Sequence, residues 1–203
     1  MKIALDSVDA GARYRLLAGT ITPRPIAWIS TRNPDSGTNL APYSFFNVIG
    51  TTPPLLAFST NRRSTGEPKD TCSNILRTGE FVVNLVSKPQ AEAMNFSAAP
   101  FPPGVSEAAR TGIAICPADS ISVHRLEEAP ASFECHLWKA VELSEEMTLI
   151  IGKIIVMHIM DAALASMEPL RICNERLQLV GRMHGNRYID TQNSYAMAPA
   201  TLD

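Results

Sequence analysis

Arg62, Arg63 and Lys69 fall within eight residues of one another, and Asp70 and Thr71 follow at once. A guanidinium can fork onto two phosphate oxygens, whereas an ammonium acts as a compact point charge. Asp70 is a good helix cap, so a helix beginning there would bring free N–H groups to the same place. The pattern offers an anion site, although a solvated loop leading into a helix cap explains the same residues. Upstream, Ser30, Thr31, Asn39, Ser44 and Asn47 gather around the ends of apolar runs. Such groups can match a ring edge that alternates donors and acceptors; they also serve ordinary turns. Trp28 and the pair Phe45–Phe46 could pack a flat ring or belong to the core.

Other chemistries find little support. There is no G-x-S-x-G, no H-E-x-x-H, no Walker loop and no G-x-G-x-x-G, which removes the usual footing for a hydrolase, a metalloprotease or a Rossmann dehydrogenase. His124, His136 and His158 lack metal-ligand spacing, and Cys72, Cys116, Cys135 and Cys173 form no C-x-x-C pair. No metal site is expected, and the cysteines read as small hydrophobes. His184, beside Gly185 near the C-terminal end, is the one weak candidate for a catalytic side chain.

The elements that must position these residues are mostly strands. Ile26–Ser30 and Leu55–Thr60 are compact apolar runs, the first bounded by the turn signal Asn33-Pro34-Asp35-Ser36-Gly37. Thr38–Ala41 restarts the chain, and Pro42 suits an edge or a bend. Phe45, Phe46, Val48 and Ile49 are expected in the core and a pocket wall. Phe81–Val86 reads as another strand, and Phe133, Cys135, Leu137, Val141 and Leu143 alternate with Glu134, His136 and Glu142. The run 149–160 reads as a central strand with a bulge at Gly152. Short helices are expected over residues 7–17 with Ser7 as cap, from Asp70 to a stop at Gly79, over 89–96, and over 106–110 before Gly112. Many short strands with few helices between them favour an antiparallel barrel or sandwich.

With 203 residues, 45% of them hydrophobic, the chain fits a single domain, 1–203. A net charge of −2 argues against broad nucleic-acid binding, which needs a basic field. The N-terminus lacks the pattern of a secretory signal, and the 149–160 run is too short for a membrane helix. A cytoplasmic protein is expected.

The blocks RPIAWIST, NLAPYSFFNVIGTTPPLLAFS, KDTCSNI, GEFVVNLV and GRMHGNRY, in that order, closely resemble the flavin reductase-like, FMN-binding split-barrel family. That family includes flavoredoxins and the reductase components of two-component monooxygenases. The match is strongest over residues 20–86 and continues to Tyr188. The resemblance implies a mainly β fold, a six-stranded antiparallel Greek-key barrel spanning about residues 20–188 with short peripheral helices. It also implies a homodimer with FMN near the subunit interface. By position, Ser30, Thr31, Asn39, Ser44, Phe45, Phe46, Asn47, Arg62, Lys69, Asp70 and Thr71 would surround the flavin. Arg62 and Lys69 fall to the phosphate, and backbone groups of Phe45–Asn47 to the isoalloxazine. Residues 184–188 match a segment that approaches the flavin. The implied activity is reduction of flavin by hydride from NAD(P)H, for a monooxygenase or redox-protein partner. An electron-transfer flavoprotein and a non-catalytic FMN-binding module remain alternatives.

Overall fold

Seven strands join into one antiparallel sheet in the computed structural model, which describes residues 1–35 and 37–200. They are β1 (Ala27–Arg32), β2 (Thr38–Tyr43), β3 (Phe46–Thr51), β4 (Pro54–Asn61), β5 (Glu80–Leu85), β6 (Ala131–Ser144) and β7 (Met147–Ile159). They pair in the order β2-β1-β5-β6-β7-β4-β3. The two edge strands, β2 and β3, are consecutive in sequence, with only Ser44 and Phe45 between them. Three peptide units span at most about 11 Å, so the sheet rolls until its edges meet. Counted as one strand bent at Ser44–Phe45, residues 38–51 make this the expected six-stranded barrel. Pro42 lies on edge strand β2, where its missing N–H is tolerated. The Asn33 N–H donates to Gly37 O across the β1–β2 turn at 2.8 Å; Ser36, expected in that turn, lies outside the described residues.

β1 is buried on both faces, which explains its unbroken apolar run. Ala27 and Ile29 point into the barrel with Leu56, Phe58, Phe81, Val83 and Ile150. Trp28 and Leu40 point outward, under a layer formed by α3 (Ala91–Ser97) and α4 (Glu107–Thr111). Burying each such large side chain stabilises the fold by roughly 1.5–3 kcal/mol. Trp28 is thus core, and its Nε1–H donates to Ser97 Oγ at 2.9 Å. Cys72 and Cys135 join the barrel core; burial pushes both thiols up, away from the reactive thiolate. β7 is central as expected, with a register shift at Ile151/Gly152. A Cβ on Gly152 would stand 2.3 Å from Phe81 Cζ, so the bulge makes room for that ring. Among the described residues no helix is long and apolar enough to cross a membrane.

Three local expectations need correction. The first helix, α1 (Ala10–Thr20), is capped by Asp9, not Ser7: Asp9 Oδ1 accepts from the Ala12 N–H at 2.7 Å. A carboxylate caps and complements the helix dipole together, which outweighs the Ser7 signal. Phe45, Val48 and Ile49 are 43%, 58% and 54% exposed instead of core: Val48 and Ile49 lie on the largely exposed strand β3, and Phe45, just before it, sits at the surface beside Tyr14 and Arg24. Glu134 does face away from the barrel interior, but that face is covered there and the side chain is fully buried.

Candidate functional site

Helix α2 (Asp70–Thr78) starts beside the edge of β2, and its stop at Gly79 is left-handed (φ 73°) as the sequence requires. The structure shifts the expected cap by one residue. Lys69 occupies the N-cap position, with no side-chain cap hydrogen bond, and Asp70 is the first helical residue. The helix therefore begins with N–H groups that no side chain caps, at the positive end of its dipole.

A cavity of about 530 Å³ opens at this point, within the range of small-molecule sites. Its walls are Asn39 and Tyr43 of β2, Arg62 and Arg63 just past β4, Lys69–Thr71 of α2, Glu107, and the Ser97–Phe101 stretch. The three cations are not equivalent. Arg63 ion-pairs with Asp70 Oδ1 at 2.9 Å and donates to Phe101 O at 3.3 Å, while Asp70 Oδ2 accepts from the Gly104 N–H. This pair latches the proline-rich wall onto the helix. Arg62 donates to two carbonyls, Glu145 O at 2.6 Å and Gly66 O at 3.2 Å. The Lys69 ammonium lies 5.9 Å from the Tyr43 ring centroid. Among the described residues neither Arg62 nor Lys69 ion-pairs with an acid. Partial burial, and then the Arg63 charge, lower the Lys69 pKa from its ordinary 10.5.

The wall behind the cavity is a chain of amides and hydroxyls. Asn39 Nδ2 donates to Thr31 Oγ1 and Thr71 Oγ1, both at 3.0 Å, and Asn74 Nδ2 donates to Thr31 Oγ1 at 3.1 Å. Thr31 is fully buried, and so is Ser30, which donates to His124 O at 2.7 Å. Of the sequence candidates, Asn39, Arg62, Lys69, Asp70 and Thr71 line the cavity; Ser30 and Thr31 stand behind it. Glu107, from α4, accepts from the Leu40 N–H at 3.0 Å, and burial raises its pKa despite that bond.

A second cavity, about 210 Å³, shares Pro42, Tyr43 and Ala98 with the first and extends to Ser44, Tyr14, Asn95, Arg182 and Tyr188. The two cavities border the same stretch of β2. Phe45, Phe46 and Asn47 line neither cavity. The Phe45 carbonyl accepts from the Ser59 N–H, Phe46 packs on the barrel core, and Asn47 Oδ1 accepts from the Val48 N–H. His184 is exposed, and a Cβ on Gly19 of α1 would come within 3.7 Å of its ring. Sequence reasoning missed Tyr43, Glu107 and the 97–101 wall. The PFPPG run was the one available signal, since it marks a rigid segment.

The chemistry of the larger cavity suits a phosphate group. The uncapped helix start, Arg62 and Lys69 supply positive charge at one end. The Tyr43 hydroxyl is buried midway with no full hydrogen bond, although Thr60 and Thr71 face it. On the outer face of the sheet, Asp119, Glu134 and His158 also come together, despite their uninformative spacing. There Glu134 Oε1 takes the Asp119 N–H and His158 Nε2, and Oε2 takes the Ser120 N–H. Those contacts consume the carboxylate, which clamps the 119–120 loop to the sheet.

Residues 19–180 match the model of the flavin reductase like domain. An uncharacterized protein of Deinococcus radiodurans is 38% identical over 202 residues, covering 97% of this chain and 88% of that protein. The crystal structure of Pseudomonas fluorescens 2-nitrobenzoate 2-nitroreductase superposes with a TM-score of 0.91 at 31% identity, covering 99% of this chain and 97% of the other. Nitrilotriacetate monooxygenase component B from Bacillus cereus gives a TM-score of 0.92 at 31% identity, covering 97% and 98%.

Proposed function

The chain belongs to the flavin reductase-like family, and from that premise we propose that it binds FMN and reduces it with hydride from NADH or NADPH. The observation that carries this reading is the uncapped α2 N-terminus facing a cavity that also holds Arg62 and Lys69, neither of them paired with an acid among the described residues. Arg62, Lys69 and the first N–H groups of α2 hold the phosphate. Asn39 fixes Thr71 and so fixes the direction of those N–H groups. Arg63 and Asp70 keep the 97–104 wall closed over the ligand and exclude water. The Tyr43 hydroxyl gains a partner as the cavity fills, and Pro42 to Ser44 border the path of the ring system. Bound FMN supplies acceptance of hydride from a nicotinamide and release of electrons to an acceptor. No side-chain acid or base is assigned, since hydride transfer needs position and electrostatics above all.

A homodimer completes the site in this reading. Strand β3 presents the apolar side chains of Val48 and Ile49 to solvent, and a second copy would cover them. The likeness to a monooxygenase component supports a monooxygenase partner, and a cytoplasmic location belongs to the same proposal. The test is the visible spectrum of purified protein with FMN, recorded anaerobically before and after NADH or NADPH. Bleaching of the flavin band supports the reading. A flavin band reduced by a protein donor but by neither nicotinamide would select an electron-transfer flavoprotein, and retained flavin with no turnover would select a binding module.

A further inference from the structure

Arg24 is a buried cation without a counter-charge. It is only 6% exposed, and its guanidinium donates to four neutral acceptors: Ala18 O at 2.6 Å, Ile21 O at 3.0 Å, and Met183 O and Ser44 Oγ at 3.3 Å. Those bonds fix its geometry, but among the described residues it ion-pairs with no acid. Its surroundings add no negative charge. Arg182, its direct cross-strand partner, is a second cation, held on Gly185 O and over the Tyr188 ring. The Phe45 ring centroid lies 5.7 Å from the guanidinium carbon. The carbonyls at the end of α1 carry only the partial charge of a helix terminus. Taking an ion out of water without a counter-charge is costly, and a negative charge that forms nearby offsets that cost.

From this we infer that Arg24 is a positioning residue for electron acceptance: its charge, acting through Ser44, stabilises the negative charge that two-electron reduction places on the flavin ring. The inference rests on the FMN reading, in which Pro42 to Ser44 border the ring system. Hydride transfer breaks the C4–H bond of NADH or NADPH and forms an N–H bond at flavin N5. The nicotinamide leaves as NAD⁺ or NADP⁺, and the flavin gains one negative charge over its N1 and C2 carbonyl edge. Ser44 lines the smaller cavity, and its oxygen accepts from Arg24. Its own proton has no acceptor among the described residues, so it is free to donate toward the ring. A buried, fixed guanidinium one hydroxyl away is the kind of preorganised charge that acts strongly in low-dielectric surroundings. The rim of Arg62 and Lys69 lacks this selectivity, because it meets the same phosphate in both redox states.

The test compares dissociation constants of oxidised and dithionite-reduced FMN, with the midpoint potential of the bound flavin, for the native chain, Arg24→Gln, Arg24→Lys and Lys69→Met. The native chain is expected to bind reduced FMN at least about tenfold more tightly than oxidised FMN. For a two-electron couple that raises the potential of bound over free flavin by about 30 mV. Arg24→Gln should erase the preference, and Arg24→Lys should retain part of it. Lys69→Met should weaken both forms alike and leave the preference intact. Failure to bind oxidised FMN would overturn the flavin reading and this inference together. Binding without a preference for reduced FMN would overturn this inference alone, as would a preference that survives Arg24→Gln or that Lys69→Met removes. If Arg24→Gln does not fold, Ser44→Ala decides: it unhooks the guanidinium but keeps its charge. Most of the preference should then remain, and its complete loss would assign the effect to the hydroxyl instead of the charge.

Discussion

Two charged clusters of the barrel differ in how completely they balance. At the 119–134–158 clamp, one carboxylate meets a histidine and two backbone N–H groups, and the side chain is sealed from water. At the α2 rim, Arg63 and Asp70 cancel each other, but Arg62, Lys69 and the helix start leave positive charge facing an open cavity. The first arrangement is a fastening. The second is a place that an anion completes. Residue type does not separate them, since both contain ionisable groups in contact; the charge left over does.

Breaking the clamp should produce the largest effect. Glu134→Ala strands His158 and two N–H groups in a buried place, which costs on the order of 3–5 kcal/mol of stability. Urea unfolding would measure the loss, and FMN affinity of the folded fraction should not change. A stability change confined to a few tenths of a kcal/mol would remove the contrast. Next, Lys69→Met at the rim should weaken FMN binding by about 10- to 100-fold, the worth of one hydrogen bond to a charged group, and leave stability nearly unaltered. Riboflavin, which lacks the phosphate, should bind both proteins alike in a fluorescence titration.

Smaller effects separate the neighbouring arginines and the two pH responses. Arg63→Met should cost about 1 kcal/mol of stability through its partly exposed ion pair, and Arg62→Met less, whereas FMN affinity should fall more for Arg62→Met. The pH dependences run in opposite directions. Burial alone would raise the Glu134 carboxyl, but the Asp119 and Ser120 N–H groups and His158 hold it below its ordinary 4.5. The clamp's contribution is therefore full above pH 4.5 and lost as pH falls through the lowered folded value; Glu134→Ala should lack that acid limb. Lys69 is lowered from 10.5, so FMN affinity should fall with rising pH before an ordinary lysine would titrate. Arg63→Met removes one cause of that lowering and should move the alkaline fall upward.

Much of the fold is written in local pattern. The unbroken apolar run of β1, the Gly152 bulge and the Gly79 stop each follow from short-range rules, and the structure places all three where those rules put them; the alternation of β6 holds from Phe133 to Leu137, after which Ala140 takes the inward place and Leu143 is 54% exposed. The family match extends this to the mainly β split barrel. What the sequence could not carry depends on distant partners. Arg62 and Arg63 look alike until Asp70 and the Phe101 carbonyl claim one of them. Ser30 and Thr31 read as strand-end hydroxyls that could meet a ligand, but Asn39, Asn74 and the His124 carbonyl engage them. Val48 and Ile49 read as core because their apolarity is visible and the exposure of β3 is not. Glu134 reads as a solvent-facing residue because the loop that covers it lies 14 residues upstream at Ser120.

The most direct measurement compares FMN with riboflavin in calorimetric titrations of the native protein at near-neutral pH. The α2 rim should make FMN bind at least about tenfold more tightly, because only FMN presents a phosphate to Arg62, Lys69 and the helix start. Equal affinity for the two flavins, or no binding of either, would contradict the assignment of that rim to a phosphate.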